Sequence, residues 1–144
     1  MAHISFTDRE LRHAWRSLYQ ASAQHPRSNP HRLLLLYAIE CGLKALWLKR
    51  AGRTLFEAKD IGQTGHDLRK IISQLRLNLP LPDTFHLPDV FDARRNPVAR
   101  RHNALENLHQ AWRYGGQLEA PNDDATLETE LENIYLQITK ELRS

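Results

Sequence analysis

The chain has 144 residues, 41% of them apolar and 26% charged, with a formal charge of +3 and a pI near 9.2. These are ordinary values for one globular domain, so residues 1–144 are expected to form a single domain. The longest apolar run, residues 33–39, is far too short to cross a bilayer, and residues 1–9 lack the apolar core of a signal peptide, so a cytoplasmic location is expected.

Helical periodicity dominates the chain. Thr7-Asp8-Arg9-Glu10 reads as a capping box, and Leu11, Trp15, Leu18 and Tyr19 follow it as one apolar stripe. The stretch His25-Pro26-Arg27-Ser28-Asn29-Pro30 breaks this first helix. Asn29 is expected to cap a second helix with Pro30 at its first position. That helix carries Leu33, Leu36, Tyr37, Leu43, Leu46 and Trp47 and stops near Gly52. It is apolar on most of its girth and therefore reads as the central helix. Within it, Glu40 and Lys44 stand at i, i+4, with Glu40 among Leu36, Ile39 and Leu43, where a half-buried carboxylate wants a cation. Cys41, the single cysteine, excludes an internal disulfide and a thiolate zinc cluster and reads as a small buried hydrophobe.

A loop with a short turn near Leu55-Phe56-Glu57 comes next, and Gly62 and Gly65 mark it as irregular. A third helix is expected to start between Thr64 and Asp67, opening with Gly65-His66-Asp67-Leu68 and carrying Leu68, Ile71, Ile72, Leu75 and Leu79. Pro80, Pro82 and Pro88 forbid a helix through the following segment, which reads as a linker packed by Leu81, Phe85 and Leu87. A fourth helix is expected over residues 89–114, with a break at Pro97 and Gly115-Gly116 at its end. The fifth starts at Asp123 or Asp124, with Leu127, Leu131, Ile134, Ile138 and Leu142 on one face. No alternating strand pattern stands out. The expected fold is an all-α, up-and-down bundle of five helices. Its core holds Leu36, Leu43, Leu68, Ile71, Leu105, Leu131 and Ile134.

Positive charge gathers between residues 93 and 101, where Arg94, Arg95, Arg100 and Arg101 occur with no acid among them and His102 follows. Guanidinium forks match phosphate geometry, so this run is a candidate phosphate-backbone surface. Arg95 and His102 are seven residues apart, about 700° of helical rotation, and on a helix they would share a face. An arginine can hold a phosphate as charge grows on it, and a histidine can serve as base or acid on a ribose 2′-hydroxyl or the leaving oxygen. The pair would suffice for RNA cleavage without a metal or cofactor.

The order Ala38-x-Glu40-x3-Lys44-Ala45-Leu46, Gly65-His66-Asp67-Leu68, Arg95-Asn96-x5-His102, Trp112-Arg113-Tyr114 and a last amphipathic helix resembles a HEPN domain from about residue 33 to residue 142. HEPN domains are small helical bundles that usually pair into dimers. Many are metal-independent ribonucleases of toxin–antitoxin and antiviral systems, with an Arg-x4-6-His signature that often has a polar residue after the Arg. The resemblance implies Arg95, Asn96, His102 and Glu40 as catalytic residues, with Glu40 orienting either Arg95 or His102. It implies Arg94, Arg100, Arg101 and Lys44 as RNA contacts. It also implies a homodimer whose two Arg95/His102 pairs meet at the two-fold axis, with an antitoxin or nucleotidyltransferase as a further partner. Pro97 departs from the pattern. The alternatives are a HEPN module that binds RNA, a nucleotide or a partner protein without cutting, and a helical interaction protein unconnected with nucleic acid. Trp47, Trp112 and Tyr114 are expected to supply the apolar surface of the dimer contact.

Overall fold

A computed structural model describes residues 4–65 and 67–144, so His66 of the expected Gly65-His66-Asp67-Leu68 opening lies outside the described residues. The element order is β1 (Phe6–Thr7), α1 (Asp8–Ser22), α2 (Asn29–Ala51), β2 (Leu55–Phe56), α3 (Ala58–Thr64), α4 (Leu68–Gln74), β3 (Thr84–Phe91), β4 (Pro97–Ala104), a 3-10 turn (Leu105–Asn107), α5 (Leu108–Arg113) and α6 (Asp124–Arg143). The fold is mainly α. Two small antiparallel sheets, β1–β2 and β3–β4, correct the expectation of a purely helical five-helix bundle. No helix among the described residues is long and apolar enough to cross a membrane.

The expected capping box opens α1: the Glu10 amide donates to Thr7 Oγ1 at 3.1 Å and the Thr7 amide to Glu10 Oε1 at 2.9 Å. Ser28, rather than Asn29, caps α2, and Asn29 instead donates its amide to the Gly116 carbonyl at 2.9 Å. Gly52 ends α2 at φ +66°, a left-handed position suited to glycine. The central role of α2 holds, since Leu35, Ala38, Ile39, Leu43, Ala45 and Leu48 are fully buried. Helices α1, α4, α5 and α6 all pack on α2. Gly42 permits the tightest of these approaches, because a Cβ there would lie 2.7 Å from Trp15 Cδ1 and 3.0 Å from Ile138 Cγ2. In α6 the whole expected stripe is inside, and Asp123 caps the helix by accepting from the Thr126 amide at 2.9 Å. All seven expected core residues are buried.

Two polar clusters tie the bundle together. Arg27, inside the turn between α1 and α2, donates Nε to the Ser22 carbonyl at 2.8 Å and pairs with Glu132 of α6, which also accepts from the Tyr19 hydroxyl at 2.7 Å. Asp60 of α3 is 2% exposed, pairs with Arg53 and accepts from the Glu57 amide at 2.7 Å. The Lys49 ammonium donates to the Glu141 and Leu142 carbonyls at 2.9 and 3.2 Å, closing the last turn of α6.

The third expected helix is divided. Residues 58–64 form α3, and α4 starts after Asp67, whose carboxylate accepts from the Arg69 amide at 3.0 Å. Leu79 lies beyond α4, half-buried against the core.

The largest correction concerns residues 89–114. Only its end is helical, as the 3-10 turn and α5; up to Ala104 the chain instead makes an antiparallel ribbon, with Thr84 opposite Ala104, His86 opposite His102 and Phe91 opposite Pro97. Pro97 explains the change in part. Pro97 inside a helix would cost about 3 kcal/mol and clash with the preceding turn, whereas the first position of a strand tolerates it. In β3, Phe85 and Leu87 alternate inward and are buried, while everything from Pro88 to Arg100 is exposed. The root of the ribbon is therefore part of the core, and its outer half projects. Trp112 is also inside the fold at 2% exposure, donating Nε1 to Asp124 at 2.8 Å, and Trp47 is half-buried against the core. Of the three aromatics expected at a dimer contact, only Tyr114 is open, at 78%.

Candidate functional site

The ribbon carries the basic run. Its turn is built by Asp92, whose Oδ1 accepts from the Arg94 and Asn96 amides at 2.9 Å each, while the Arg95 amide donates to the Asp92 carbonyl at 2.9 Å. These amides, that of Asn96 foremost, hold the Asp92 carboxyl below its ordinary range. Arg95 takes the left-handed conformation at φ +62°. Asn96 is therefore a turn former here, and its side chain points back to Asp92 at 3.5 Å.

Arg94, Arg95 and Arg100 are exposed, and among the described residues their guanidinium groups have no hydrogen bond or ion pair. Arg101 is anchored: its Nε donates to the Pro88 carbonyl at 2.8 Å and its amide to Asp89 Oδ1 at 3.3 Å. The two acids nearest these arginines, Asp89 and Asp92, are thus occupied by backbone amides. The outer ribbon also shows apolar side chains, Phe91 at 53% and Val98 at 65% exposed.

His102 stands at the root of the ribbon, and the expectation that it shares a helical face with Arg95 is corrected. Five extended residues, six steps of chain, separate Asn96 from His102, roughly 20 Å along the strand. The structure places His102 against His86 instead, with ring centres 3.9 Å apart and planes tilted by 35°. His86 is paired on its other side with Glu119, whose amide donates to the His86 carbonyl at 2.9 Å. Residues paired across strands leave on the same face, so Glu119, His86 and His102 form one row. Arg100 is two residues before His102 on β4, so strand alternation assigns it to the same face, opposite the register shift between Leu87 and Val90. The histidine pairing was missed in the sequence because it depends on strand register. The only local signal was the Phe85/Leu87 alternation.

Glu40 and Lys44 lie elsewhere. Lys44 Nζ is 3.5 Å from Glu40 Oε1 and 5.2 Å from the centre of the Phe56 ring, with its side chain only 13% exposed. It is turned toward the core rather than toward the ribbon. Glu40 borders a cavity of about 280 Å³ floored by leucines of α2, α4, α5 and α6, including Leu36, Leu68, Leu108 and Leu131. Tyr37, His109 and Arg113 share its rim, and Arg113 Nη2 donates to the Tyr37 hydroxyl at 2.8 Å. His109 Nδ1 lies 3.1 Å from the Glu106 carbonyl, which can only accept, so that nitrogen carries a proton. Sequence reading singled out Arg113 only as part of a tripeptide and missed Tyr37 and His109 as its neighbours. Burial pushes the Cys41 thiol up to about 11, which fits an inert hydrophobe beside Glu40. Among the described residues, no three His, Cys, Asp or Glu side chains converge as a metal site.

Compared with protein-family models, curated proteins and solved structures, the chain matches none.

Proposed function

We propose that this protein binds RNA along its phosphate backbone through the β3–β4 ribbon. The observation that carries the reading is the projecting ribbon, on which Arg94, Arg95 and Arg100 are open while Asp89 and Asp92 are occupied by backbone amides. Arginine on such an arm supplies charge and bidentate geometry to phosphates without needing a base sequence. The resemblance to HEPN domains favours RNA as the polymer and a homodimer as the working form.

The affinity for a mixed-sequence RNA should fall steeply with salt. The triple substitution Arg94→Ala, Arg95→Ala, Arg100→Ala should flatten the log–log slope by about 0.7 per lost contact with a single strand, whatever the sequence. An unchanged slope in that variant, or clearly tighter binding to duplex DNA than to RNA, overturns the reading.

A second reading is that bound RNA is also cut by a metal-independent endoribonuclease centre. One observation favours it. His102, the residue the HEPN resemblance implies as general base, stands at the root of the basic ribbon beside a second imidazole.

A further inference from the structure

We infer that His86 and His102 form a general acid–base pair on the ribbon root, with Arg100 as the phosphate-holding cation, and that this row replaces the Arg95/His102 pair as the cutting centre. The inference rests on the RNA-binding reading, since the ribbon must first hold the substrate.

Transesterification of RNA needs three things within reach of one phosphate. These are a base for the 2′-hydroxyl, an acid for the departing 5′-oxygen and a cation for the charge that develops between them. A lone histidine can supply only one of the two proton transfers at a time. The register His86↔His102 sets a second imidazole beside the first, with ring centres 3.9 Å apart, which supplies two proton-transfer groups at one place on the ribbon. Strand alternation assigns Arg100 to their face, and it has no partner among the described residues, whereas Arg95 sits in the turn at the far end of the strand. The site is also built to keep its shape. His86 is half-buried in a strand flanked by buried Phe85 and Leu87, and Asn122 Nδ2 donates to the Thr84 carbonyl at 3.0 Å beside it. Glu119 closes the row as the neighbour of His86.

In the step itself, the more exposed His102 takes the proton from a ribose 2′-hydroxyl as that oxygen attacks the adjacent phosphorus. The bond from phosphorus to the 5′-oxygen breaks, and its electron pair goes to that oxygen. His86 gives the 5′-oxygen a proton. The products are a 2′,3′-cyclic phosphate and a 5′-hydroxyl. Water exchange resets the two rings, and no oxidant, reductant or further reactant enters. Arg100 pairs with the phosphate oxygens through the reaction.

The test uses the full chain and total cellular RNA in EDTA, with fragment ends identified chemically and RNA affinity measured in parallel. The parent should release fragments ending in 2′,3′-cyclic phosphate and leave DNA intact. His102→Ala and His86→Ala should each lose a factor of about 10² to 10⁴ in rate. Arg100→Ala should lose about 10². His86→Gln, which keeps a polar side chain of moderate size, should be as slow as His86→Ala while melting at the parent temperature and binding RNA as tightly, which separates lost chemistry from lost fold. If RNA is bound but left intact by the parent, or if both His86 variants cut at the parental rate, the inference is overturned and the binding reading stands. If RNA is not bound at all, both fall.

Discussion

Asp60 shows how one side chain outside the ribbon sets the behaviour of the chain in acid. It is 2% exposed, and the Arg53 guanidinium is the main cause holding its carboxyl down at about 2, with the Glu57 amide and the Trp47 indole adding to it. A carboxylate depressed in the folded state stabilises the fold above its ordinary unfolded value near 4 and loses that contribution as pH falls toward the folded value. Stability should therefore drop by on the order of 2 kcal/mol between about pH 4 and pH 2 from this group alone. Asp60→Asn should remove that part of the acid slope and lower neutral-pH stability by about 2 kcal/mol, since Arg53 loses a charge-assisted partner. Chemical denaturation across pH measures both. A variant whose acid slope equals the parent's would show that Asp60 is not the titrating group.

Among the elements, the β3–β4 ribbon differs from the helices in what it owes to the core. Its root is fixed by Phe85 and Leu87, both buried, and by the Leu105 amide donating to the Asp83 carbonyl at 2.9 Å. Its outer half buries little, because every residue from Pro88 to Arg100 is exposed. Replacing residues 89–100 by a two-residue Asn-Gly turn should thus shift stability by less than about 1 kcal/mol, the scale of surface changes away from packed features. The same change should abolish RNA binding, because it removes Arg94, Arg95 and Arg100 together. Thermal melting and filter binding read the two effects separately. A shortened chain that still binds RNA at the parental affinity would move the interface off the ribbon. α2 is the opposite case, since its buried residues meet four other helices and Gly42 allows their closest approach.

At the scale of the whole molecule, the proposed homodimer needs an apolar contact that the helices do not offer through Trp47 or Trp112. Open candidates among the described residues include Tyr114, Ile4, Val98, Leu136 and Phe91, at 78, 69, 65, 63 and 53% exposure. Scattered exposed hydrophobics are normal on a monomer, so they point to a contact only if a two-fold axis gathers them. Light scattering at micromolar concentration should give twice the 16.8 kDa chain mass, and Tyr114→Ser combined with Leu136→Ser should return it toward the monomer. A monomer mass for the parent would end the dimer proposal.

The helices with strong local signals were legible in the residues themselves. Thr7 and Glu10, Gly52, Asp67, Asp123 and the Leu127–Leu142 stripe act within a few positions, where capping and 3.6-residue periodicity are decided. Composition and local pattern also fixed the seven core residues, because each lies on an apolar face that any packing must bury. The region from Asp89 to Ala104 was not legible. Its arginines suit helix or strand alike, and the choice fell to Pro97, to the Asp92 turn and to the docking of Phe85 and Leu87 into a core built by other segments. The basic run could be read from the chain, and so could His102 as a residue of interest. The neighbour of His102 could not, because His86 is sixteen positions earlier and is brought opposite only by strand register. Local chemistry determined which residues were available, and long-range pairing, which costs loop-closure entropy and is repaid only by the assembled core, decided which of them meet.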